Sequence, residues 1–443
     1  MTSSFPYTPT TLRTSVKPRP WVPLKRHEGH VEVPPLPFKP RTDNLLGMYD
    51  ISTHIIPAAN PRITPDTPVP KPPPRSKRTL AELKELGLEF IKQQVRQGED
   101  GHSAVTDERL LWNCVNRYVK KDKETNAKSK GTTLFLVHAT GFPKEIWETT
   151  LCYLLPACGV IDEIWSWESV QHGDSALLNR QNLNGSFDWT DNARDIANFL
   201  INYMPEGVET SALPIQLQQL PAFIGESRQK SGFSSRTLVV VGHSVGGCAA
   251  ASVALNFPAL LSSMILLDPM IDTFIGFPWE HTQYVVGLTL VKREQWPSRE
   301  DALRSFKSSP MFSAWHPDVL RLYIDYGLYE DGSGSVRLKT PPIHEAIDCA
   351  NLRTGRETWE LMETLDENIE LLWIVPGKPS PVVSMMEQVS KERVWRRPAN
   401  SSNIIIKSSD HLIPHESPEA LAQIMADFLH RKYGVSSSRQ SKL

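Results

Sequence analysis

The chain has 443 residues, of which 40% are hydrophobic, enough to bury the core of one large domain or two medium ones. Its 48 Lys and Arg and 50 Asp and Glu residues give a formal net charge of −2, which argues against nucleic acid as a partner. No stretch approaches the roughly 18 to 20 apolar residues that span a bilayer, so we expect no transmembrane segment.

The sequence contains five cysteines without CxxC spacing, and it lacks a Walker loop, a dinucleotide fingerprint and an HExxH motif. The N-terminus also lacks the apolar run of a secretory signal. We therefore expect no metal site, no cofactor, no disulfide framework and an intracellular location.

The N-terminal segment 1–76 holds 17 of the 36 prolines. Proline favours extended chain, and the sequence leaves two interpretations open: an arm that wraps the domain near residues 45–56, or a disordered tail. His27 and His30 in this segment are expected to be solvated rather than metal-bound. The spacing of apolar residues then predicts a helix that starts near Thr79.

From about residue 110, short β-branched runs alternate with helical patterns, which predicts a mostly parallel sheet with helices on both faces. A final helix is expected from Ser417, with Pro418 in its first turn, to the basic residues before Gly434. The runs interpreted as strands are Leu111–Val119, Thr133–Val137, Ile164–Trp167, Thr237–Val241, Met264–Leu267, Leu371–Val375 and Ile404–Ile406.

About a hundred residues with helical spacing separate the last two of these strands from the earlier ones, and we interpret 271–368 as a helical cap. The core is then expected at 77–270 and 369–434, and a flexible tail at 435–443. Each aromatic residue of the insertion is expected in the core of the cap, but together they predict a large apolar binding cavity. These residues are Trp279, Trp296, Phe306, Phe312, Trp315, Tyr323, Tyr326 and Trp359.

The strand at 237–241 runs into Gly242-His243-Ser244-Val245-Gly246, a G-x-S-x-G turn that is followed by small residues. A nucleophile on such a strand-to-helix turn needs very small neighbours two positions away on each side, and Gly242 and Gly246 meet that need. The motif alone is weak, but its place between a buried strand and an alanine-rich helix makes it specific. Ser244 is the predicted nucleophile.

A nucleophilic serine needs a base, and His411 lies just past the last strand, before the last helix. His415 is the rival and is expected at the surface. The acid usually follows the strand at 371–375, but residues 375–381 contain no carboxylate. Asp268, at the end of the preceding strand, is the preferred acid, while Asp272, Asp410 and the absence of any acid stay open as alternatives.

The oxyanion hole is expected to combine the amide of Val245 with one from the loop 137–143. Thr140 is the preferred donor if His138-Ala139 stands where other hydrolases have His-Gly. Phe142 donates if the Gly-Phe-Pro frame is the better match. His138 is expected to pack under the loop, and the polar stretch 171–175 to form a tight turn.

The last three residues, Ser441-Lys442-Leu443, form the SKL signal that a peroxisomal import receptor reads. They follow a polar stretch, 436–440, that is expected to leave them accessible. The sequence thus predicts a peroxisomal matrix location and an import receptor as a partner.

Taken together, these motifs resemble the fungal peroxisomal α/β-hydrolases, a group with lipase-like members, enzymes of toxin and polyketide pathways, and the acyl-CoA hydrolase of mycophenolic acid biosynthesis. The resemblance spans about residues 45–443. It implies the α/β-hydrolase fold, with an eight-stranded sheet and a helical cap inserted after strand six. Because the last of these relatives takes its acid from the sixth strand, it also implies that role for Asp268. The matching pieces are His138–Phe142 with Lys144-Glu145, His172–Ser175, the turn at Ser244, Asp268-Pro269, His411–Pro418 and the terminal tripeptide.

These observations predict a serine hydrolase in which Ser244 attacks an ester or thioester and His411 and Asp268 complete the triad. The expected substrate is an acyl-CoA or a lipophilic ester of secondary metabolism. A lipase acting on glycerides, and an acyltransferase or non-catalytic scaffold of the same fold, are the alternatives. An epoxide hydrolase would need an aspartate at position 244.

Overall fold

The computed structural model describes residues 3–14, 16–29, 31–71, 79–99, 109–121, 130–209, 212–273 and 279–434. His30 and the terminal Ser441, Lys442 and Leu443 lie outside the described residues, so the predictions made for them rest on sequence alone. No described helix is both long and apolar enough to cross a membrane.

A nine-stranded sheet forms the centre of the molecule, in the order β1-β2-β3-β5-β4-β6-β7-β11-β12. The strands from β5 through β12 in this order pair in parallel, while β1, β2 and β3 add antiparallel strands at one edge. This arrangement confirms the predicted fold class; the two-residue β1 is an addition to the eight expected strands. In chain order, the strands of this sheet are β1 Asn44–Leu45, β2 Tyr49–Pro57, β3 Trp112–Lys120, β4 Gly131–Val137, β5 Ile161–Trp167, β6 Arg236–His243, β7 Ser263–Leu267, β11 Glu370–Pro376 and β12 Ser401–Ile406.

Alternate side chains of β6 enter two separate cores, one on each face of the sheet. Leu238 and Val240 join one buried cluster, while Val239 and Val241 join the other. A strand with both faces covered requires the continuous apolar run seen at 237–241. Because both faces of the sheet are covered, β6 is a buried central strand, and the turn that carries Ser244 follows its C-terminal end.

Helices flank the sheet and fill the long insertion between β7 and β11. The last one begins at Pro418, one residue after the predicted start at Ser417, and ends at Tyr433. The helices are α1 Leu80–Glu99, α2 Glu148–Ala157, α3 Gly173–Asn179, α4 Trp189–Asn198, α5 Ala222–Ser231, α6 Val245–Asn256, α7 Trp279–Leu290, α8 Arg299–Lys307, α9 Pro310–Ser313, α10 Pro317–Tyr326, α11 Pro342–Ala350, α12 Arg353–Leu361, α13 Pro381–Arg393, α14 Ile413–Glu416 and α15 Pro418–Tyr433.

The segment interpreted as an N-terminal arm is partly built into the sheet. Strand β2, at Tyr49–Pro57, pairs with β3 along its whole length, so the sheet begins inside the range 1–76. Earlier in the segment, Arg19 forms ion pairs with Asp188 at 2.6 Å and with Glu357 at 2.7 Å. The described part of this segment thus follows the wrapping interpretation rather than that of a disordered tail.

The insertion between β7 and β11 contains helices α7 to α12, and also a small antiparallel sheet that the helical spacing did not predict. The three strands of this sheet are short, which explains why no alternating pattern identified them. They are β8 Gln295–Trp296, β9 Leu328–Glu330 and β10 Val336–Leu338. The boundaries of a cap at 271–368 stay a prediction.

Candidate active site

Ser244 stands at the sharp turn between β6 and α6, with φ 56° and ψ −122°. Positive φ is strained for a residue other than glycine, and the surrounding contacts must impose it. A Cβ at Gly242 would lie 2.6 Å from the Cα of Gly247, and one at Gly246 would lie 2.3 Å from the carbonyl oxygen of His138. Both contacts are with backbone, so these two positions require glycine, as the sequence analysis expected.

The structure brings Ser244, His411 and Asp268 into one hydrogen-bonded chain. The Nε2 atom of His411 lies 3.0 Å from Ser244 Oγ, and its Nδ1 atom lies 2.7 Å from Asp268 Oδ2. Ser244 is 5% exposed, whereas the His411 side chain is 36% exposed, so the imidazole faces the cavity. Oxygen, imidazole and carboxylate are in the order that proton transfer from a serine requires.

Neighbouring strands explain how Asp268 reaches this histidine. Asp268 follows β7, which lies between β6 and β11. Its backbone N–H donates to the carbonyl oxygen of Ile374 in β11 at 2.9 Å. Two residues further on, the N–H of Met270 donates to the carbonyl oxygen of Ser244 at 3.0 Å. The loop after β7 is thereby tied to the nucleophile turn, although Asp268 and Ser244 are distant in sequence.

Arg393 is a member of the site that the sequence analysis missed. It ends α13, is buried, and its Nη2 atom donates to Asp268 Oδ1, the oxygen that His411 leaves free. A further hydrogen bond of 2.8 Å runs from Arg393 Nη1 to the carbonyl oxygen of Pro269. Burial alone would raise the pKa of the Asp268 carboxyl, but Arg393 and His411 outweigh it and hold the pKa well below its ordinary value.

The rival residues have other surroundings than His411 and Asp268. His415 was expected at the surface, and this is wrong: α14 buries it against the rings of Phe142 and Trp315, with centroid distances of 4.2 and 4.4 Å. Asp410 Oδ1 accepts a hydrogen bond from the backbone N–H of the adjacent His411, at 2.9 Å, rather than from its ring. Asp272 is buried in the cavity wall.

His243, the residue before the nucleophile, has a structural contact with the histidine loop. Its Nε2–H donates to the carbonyl oxygen of His411 at 2.8 Å. Burial, together with the neighbouring His411 ring, lowers the pKa of His243 to about 3. A neutral imidazole therefore supports the backbone that carries His411.

The candidate oxyanion loop follows β4 and borders the same cavity as Ser244. Thr140, Phe142 and Val245 all line this cavity, and Gly141, between the first two, has φ +90°. Val245 is the first residue of α6, where an amide has no acceptor within the helix. Which of Thr140 and Phe142 gives the second amide stays a prediction.

Asp348 in α11 is hydrogen-bonded to the candidate oxyanion loop. Its Oδ2 atom accepts the hydroxyl of Thr140, while its Oδ1 atom is buried without a partner. Burial raises the pKa of Asp348 to about 7. His172 Nε2 lies 3.8 Å from Asp348 Oδ2, but burial holds the pKa of His172 well below its ordinary value, so this imidazole stays neutral.

We expect Asp348→Asn to change the pH dependence of stability. The folded pKa is raised, so the stability from the protonated carboxyl is complete below about pH 4 and lost as pH rises through about 7. Asparagine keeps an acceptor for Thr140 and never ionises. The free energy of unfolding, measured in urea, should fall with rising pH in the parent chain but not in the variant. The difference between the two should grow by up to about 4 kcal/mol from pH 4 to pH 8. Asp427→Asn, on exposed surface, is the control; parallel curves for Asp348→Asn and the parent would contradict this assignment.

The cavity above Ser244 has a volume of about 340 Å³, within the range of small-molecule sites. The apolar part of its wall is mainly aliphatic and sulfur-containing. Within the insertion, Asp272 and the ion pair between Lys292 and Glu345, 3.0 Å apart, add charged groups to the wall. The apolar residues that line it include Met270, Val285, Met311, Leu352, Val375, Met386 and Leu412.

Among the described residues of the insertion, five aromatic side chains do not line this cavity: Trp296, Phe306, Phe312, Trp315 and Tyr323. They pack on one another instead, as in the contacts of Phe306 with Trp296 and Phe312, with centroids 5.0 and 4.5 Å apart. Trp315 and Tyr323 join the same group, at 5.6 Å. These five residues and Trp359 are buried in a core as expected, whereas Tyr326 is only partly buried. The predicted apolar cavity is present, but these residues do not line it because their mutual packing buries them.

Other predicted positions have structural contacts. His138 is buried and accepts the backbone N–H of Ser169 at 3.2 Å, which fits the packing role expected for it. The stretch 171–175 makes a turn and then enters α3 at Gly173. His27 is not merely solvated, since its Nε2 atom lies 2.9 Å from the carbonyl oxygen of Ala58. Among the described residues, no cluster of three or more His, Cys, Asp or Glu side chains could hold a metal ion.

The chain belongs to the alpha/beta hydrolase family, whose sequence pattern matches residues 134–424. It is 27% identical to an abhydrolase domain-containing protein (AFT2-1) of Alternaria alternata over 44% of this chain and 83% of that protein. It is also 27% identical to the type I acyl-CoA thioesterase mpaH of Penicillium brevicompactum, over 55% of each chain. The peroxisomal alpha-beta-hydrolase Lpx1 of Saccharomyces cerevisiae shares the fold, with a TM-score of 0.61 at 18% identity, over 89% of this chain and 92% of that one.

Proposed function

We propose that the protein is a serine hydrolase that cleaves an ester or thioester of a lipophilic acyl group. The observation that carries the proposal is the hydrogen-bonded chain from Ser244 through His411 to Asp268, at 3.0 and 2.7 Å, at the floor of an apolar cavity. The family to which the chain belongs adds independent support.

In the proposed reaction, Ser244 Oγ attacks the acyl carbonyl while its proton passes to His411 Nε2. The amides of Val245 and of Thr140 or Phe142 hold the negative oxygen of the tetrahedral intermediate. Collapse breaks the bond to the leaving group, which takes the proton from His411. Water, deprotonated by His411, then attacks the acyl-enzyme, and Ser244 recovers its proton as the free acid leaves.

Acyl-CoA is the preferred substrate class. The relative from Penicillium brevicompactum is named a type I acyl-CoA thioesterase, and the aliphatic lining of the cavity suits an acyl chain. A thiolate is also a better leaving group than an alkoxide, so the same triad hydrolyses thioesters readily. Lipophilic esters of secondary metabolism fit the same lining.

A substrate panel tests this proposal. The purified chain is incubated with acyl-CoAs, p-nitrophenyl esters and triglycerides, and released thiol, nitrophenol or fatty acid is measured, with Ser244→Ala as the blank. We expect Ser244-dependent release, fastest from acyl-CoA. Faster release from triglycerides would favour a lipase, and acyl transfer to an added alcohol without hydrolysis would favour an acyltransferase.

We propose the peroxisomal matrix as the compartment and its import receptor as a partner. The support is the terminal Ser441-Lys442-Leu443 and the fold shared with a peroxisomal hydrolase. Microscopy of an N-terminal fluorescent fusion, with and without residues 441–443, tests the proposal: an unchanged distribution after the deletion would contradict it.

A further inference from the structure

A residue from the extreme N-terminal part of the chain lies in the wall of the active-site cavity. Phe5 lines the cavity together with Val383, Met386 and Ser390 of α13 and Val375 of β11. Its ring packs against the core cluster that contains Val375. Nearly the whole length of the chain separates Phe5 from this helix, so the contact depends on how the N-terminal segment is held.

The backbone of Phe5 is held by a single amide side chain. Its N–H donates to Asn403 Oδ1 at 2.7 Å, and its carbonyl oxygen accepts from Asn403 Nδ2 at 3.1 Å. Next to it, the N–H of Ile405 donates to the carbonyl oxygen of Ser3 at 2.7 Å. Since β12 is the last strand of the sheet, these contacts also cover an edge that would otherwise expose backbone groups.

A second attachment follows a few residues later. The backbone N–H groups of Thr11 and Leu12 donate to Glu392 Oε2 at 2.7 and 2.8 Å, and the Thr11 hydroxyl donates to Glu392 Oε1 at 3.0 Å. Glu392 precedes Arg393, the residue that contacts Asp268. The segment 3–12 therefore docks on the helix that also supports the triad acid.

The segment between the two attachments is stiff. Pro6 and Pro9 limit its backbone freedom, and the carbonyl oxygen of Pro6 accepts from Trp395 Nε1 at 2.8 Å. The ring of Tyr7 lies edge-on to Trp395, with centroids 5.7 Å apart. Little conformational entropy is lost when such a segment docks, so Phe5 has a defined position in the wall.

We propose that the N-terminal segment 3–12 is part of the acyl-binding site, and that Phe5 sets the length and bulk of the acyl group that the cavity accepts. The proposal rests on the proposed hydrolase function. An aromatic ring in the wall fills volume that a longer chain would need, and it supplies contact area to a shorter one. Specificity would then depend on a segment that lies far from the triad in sequence.

Two variants of opposite size test the proposal. In Phe5→Ala, kcat/KM should fall for short p-nitrophenyl esters and rise for long ones, changing the ratio of palmitate to butyrate by about tenfold. In Phe5→Trp, the ratio should move in the opposite direction. Phe223→Ala, which removes a phenyl ring that is 67% exposed on α5, is the matched control and should keep the profile of the parent chain.

Labelling of Ser244 with a small fluorophosphonate, measured on each variant, separates this proposal from the proposed function. Equal labelling with opposite shifts in chain-length preference is the expected result. Equal labelling with profiles of both Phe5 variants that coincide with the parent would overturn the role of Phe5 and leave the hydrolase intact. Absence of Ser244-dependent labelling in the parent chain would overturn the hydrolase itself.

Discussion

Ser244→Ala is expected to lower kcat by at least about 10⁴-fold while KM changes little. Without the hydroxyl there is no nucleophile for an acyl-enzyme, although the cavity that binds the acyl group stays the same. The measurement is release of thiol or nitrophenol under saturating substrate. A fluorophosphonate probe should label the parent chain and leave the variant unlabelled.

Ser308→Ala, on the exposed end of α8, is the matched control and should keep full labelling and turnover. Labelling of the Ser244→Ala variant at the parent rate would mean that another group reacts with the probe. Turnover of Ser244→Ala within a few-fold of the parent would contradict the nucleophile assignment. The hydroxyl that lies 3.0 Å from His411 Nε2 would then not be needed for the reaction.

Asp268→Asn is expected to lower kcat by about 10³- to 10⁴-fold. The amide is nearly the same size as the carboxylate, but its N–H₂ group donates where His411 Nδ1 must donate. The histidine is then held in the wrong tautomer and cannot accept the proton of Ser244. Steady-state kinetics on the purified variant measure the effect, and a melting temperature close to that of the parent chain would show that the loss is chemical.

The sequence left Asp272 and Asp410 open as acids, so Asp272→Asn and Asp410→Asn complete this experiment. Asp268 is hydrogen-bonded to the His411 ring, whereas Asp410 contacts the backbone N–H of His411, and the Asp272 and Asp410 variants should retain most of the turnover. Near-normal activity of Asp268→Asn, together with a large loss in either of the others, would move the acid role away from Asp268.

Arg393 adds a pH dependence to the same prediction. It and His411 lower the pKa of Asp268, so the carboxylate stays ionised well below the pH at which an ordinary aspartate protonates. In Arg393→Gln the pKa should rise, and the loss of activity on the acidic side should begin at a higher pH than in the parent chain. An acidic limb at the same pH in both proteins would show that Arg393 is not what keeps this carboxylate ionised.

Local patterns in the sequence were sufficient for the fold and for the nucleophile turn. The apolar run 237–241 predicted a strand with both faces buried. Gly242 and Gly246 have to be glycine because other backbone atoms lie too close for a Cβ to fit at either position. His411 was identified by its place between a strand and a helix. These features depend on residues within a few positions of one another, where periodicity and turn chemistry decide the structure.

Tertiary structure decided the remaining members of the site. The sequence favoured Asp268 as the acid but left Asp272 and Asp410 open, because the contact of Asp268 with His411 depends on β7 lying between β6 and β11. Arg393, distant along the chain, gives no local signal of its contact with Asp268.

The same limit applied to the cavity. The sequence shows that the insertion is rich in aromatic residues, but it does not show that Phe306, Phe312 and Tyr323 pack on one another instead of lining the cavity. Nor could it show that Phe5 reaches the wall from the N-terminal segment. A turn is dictated by its own residues, whereas a cavity is what remains after distant segments have packed, and so only the folded chain determines its walls.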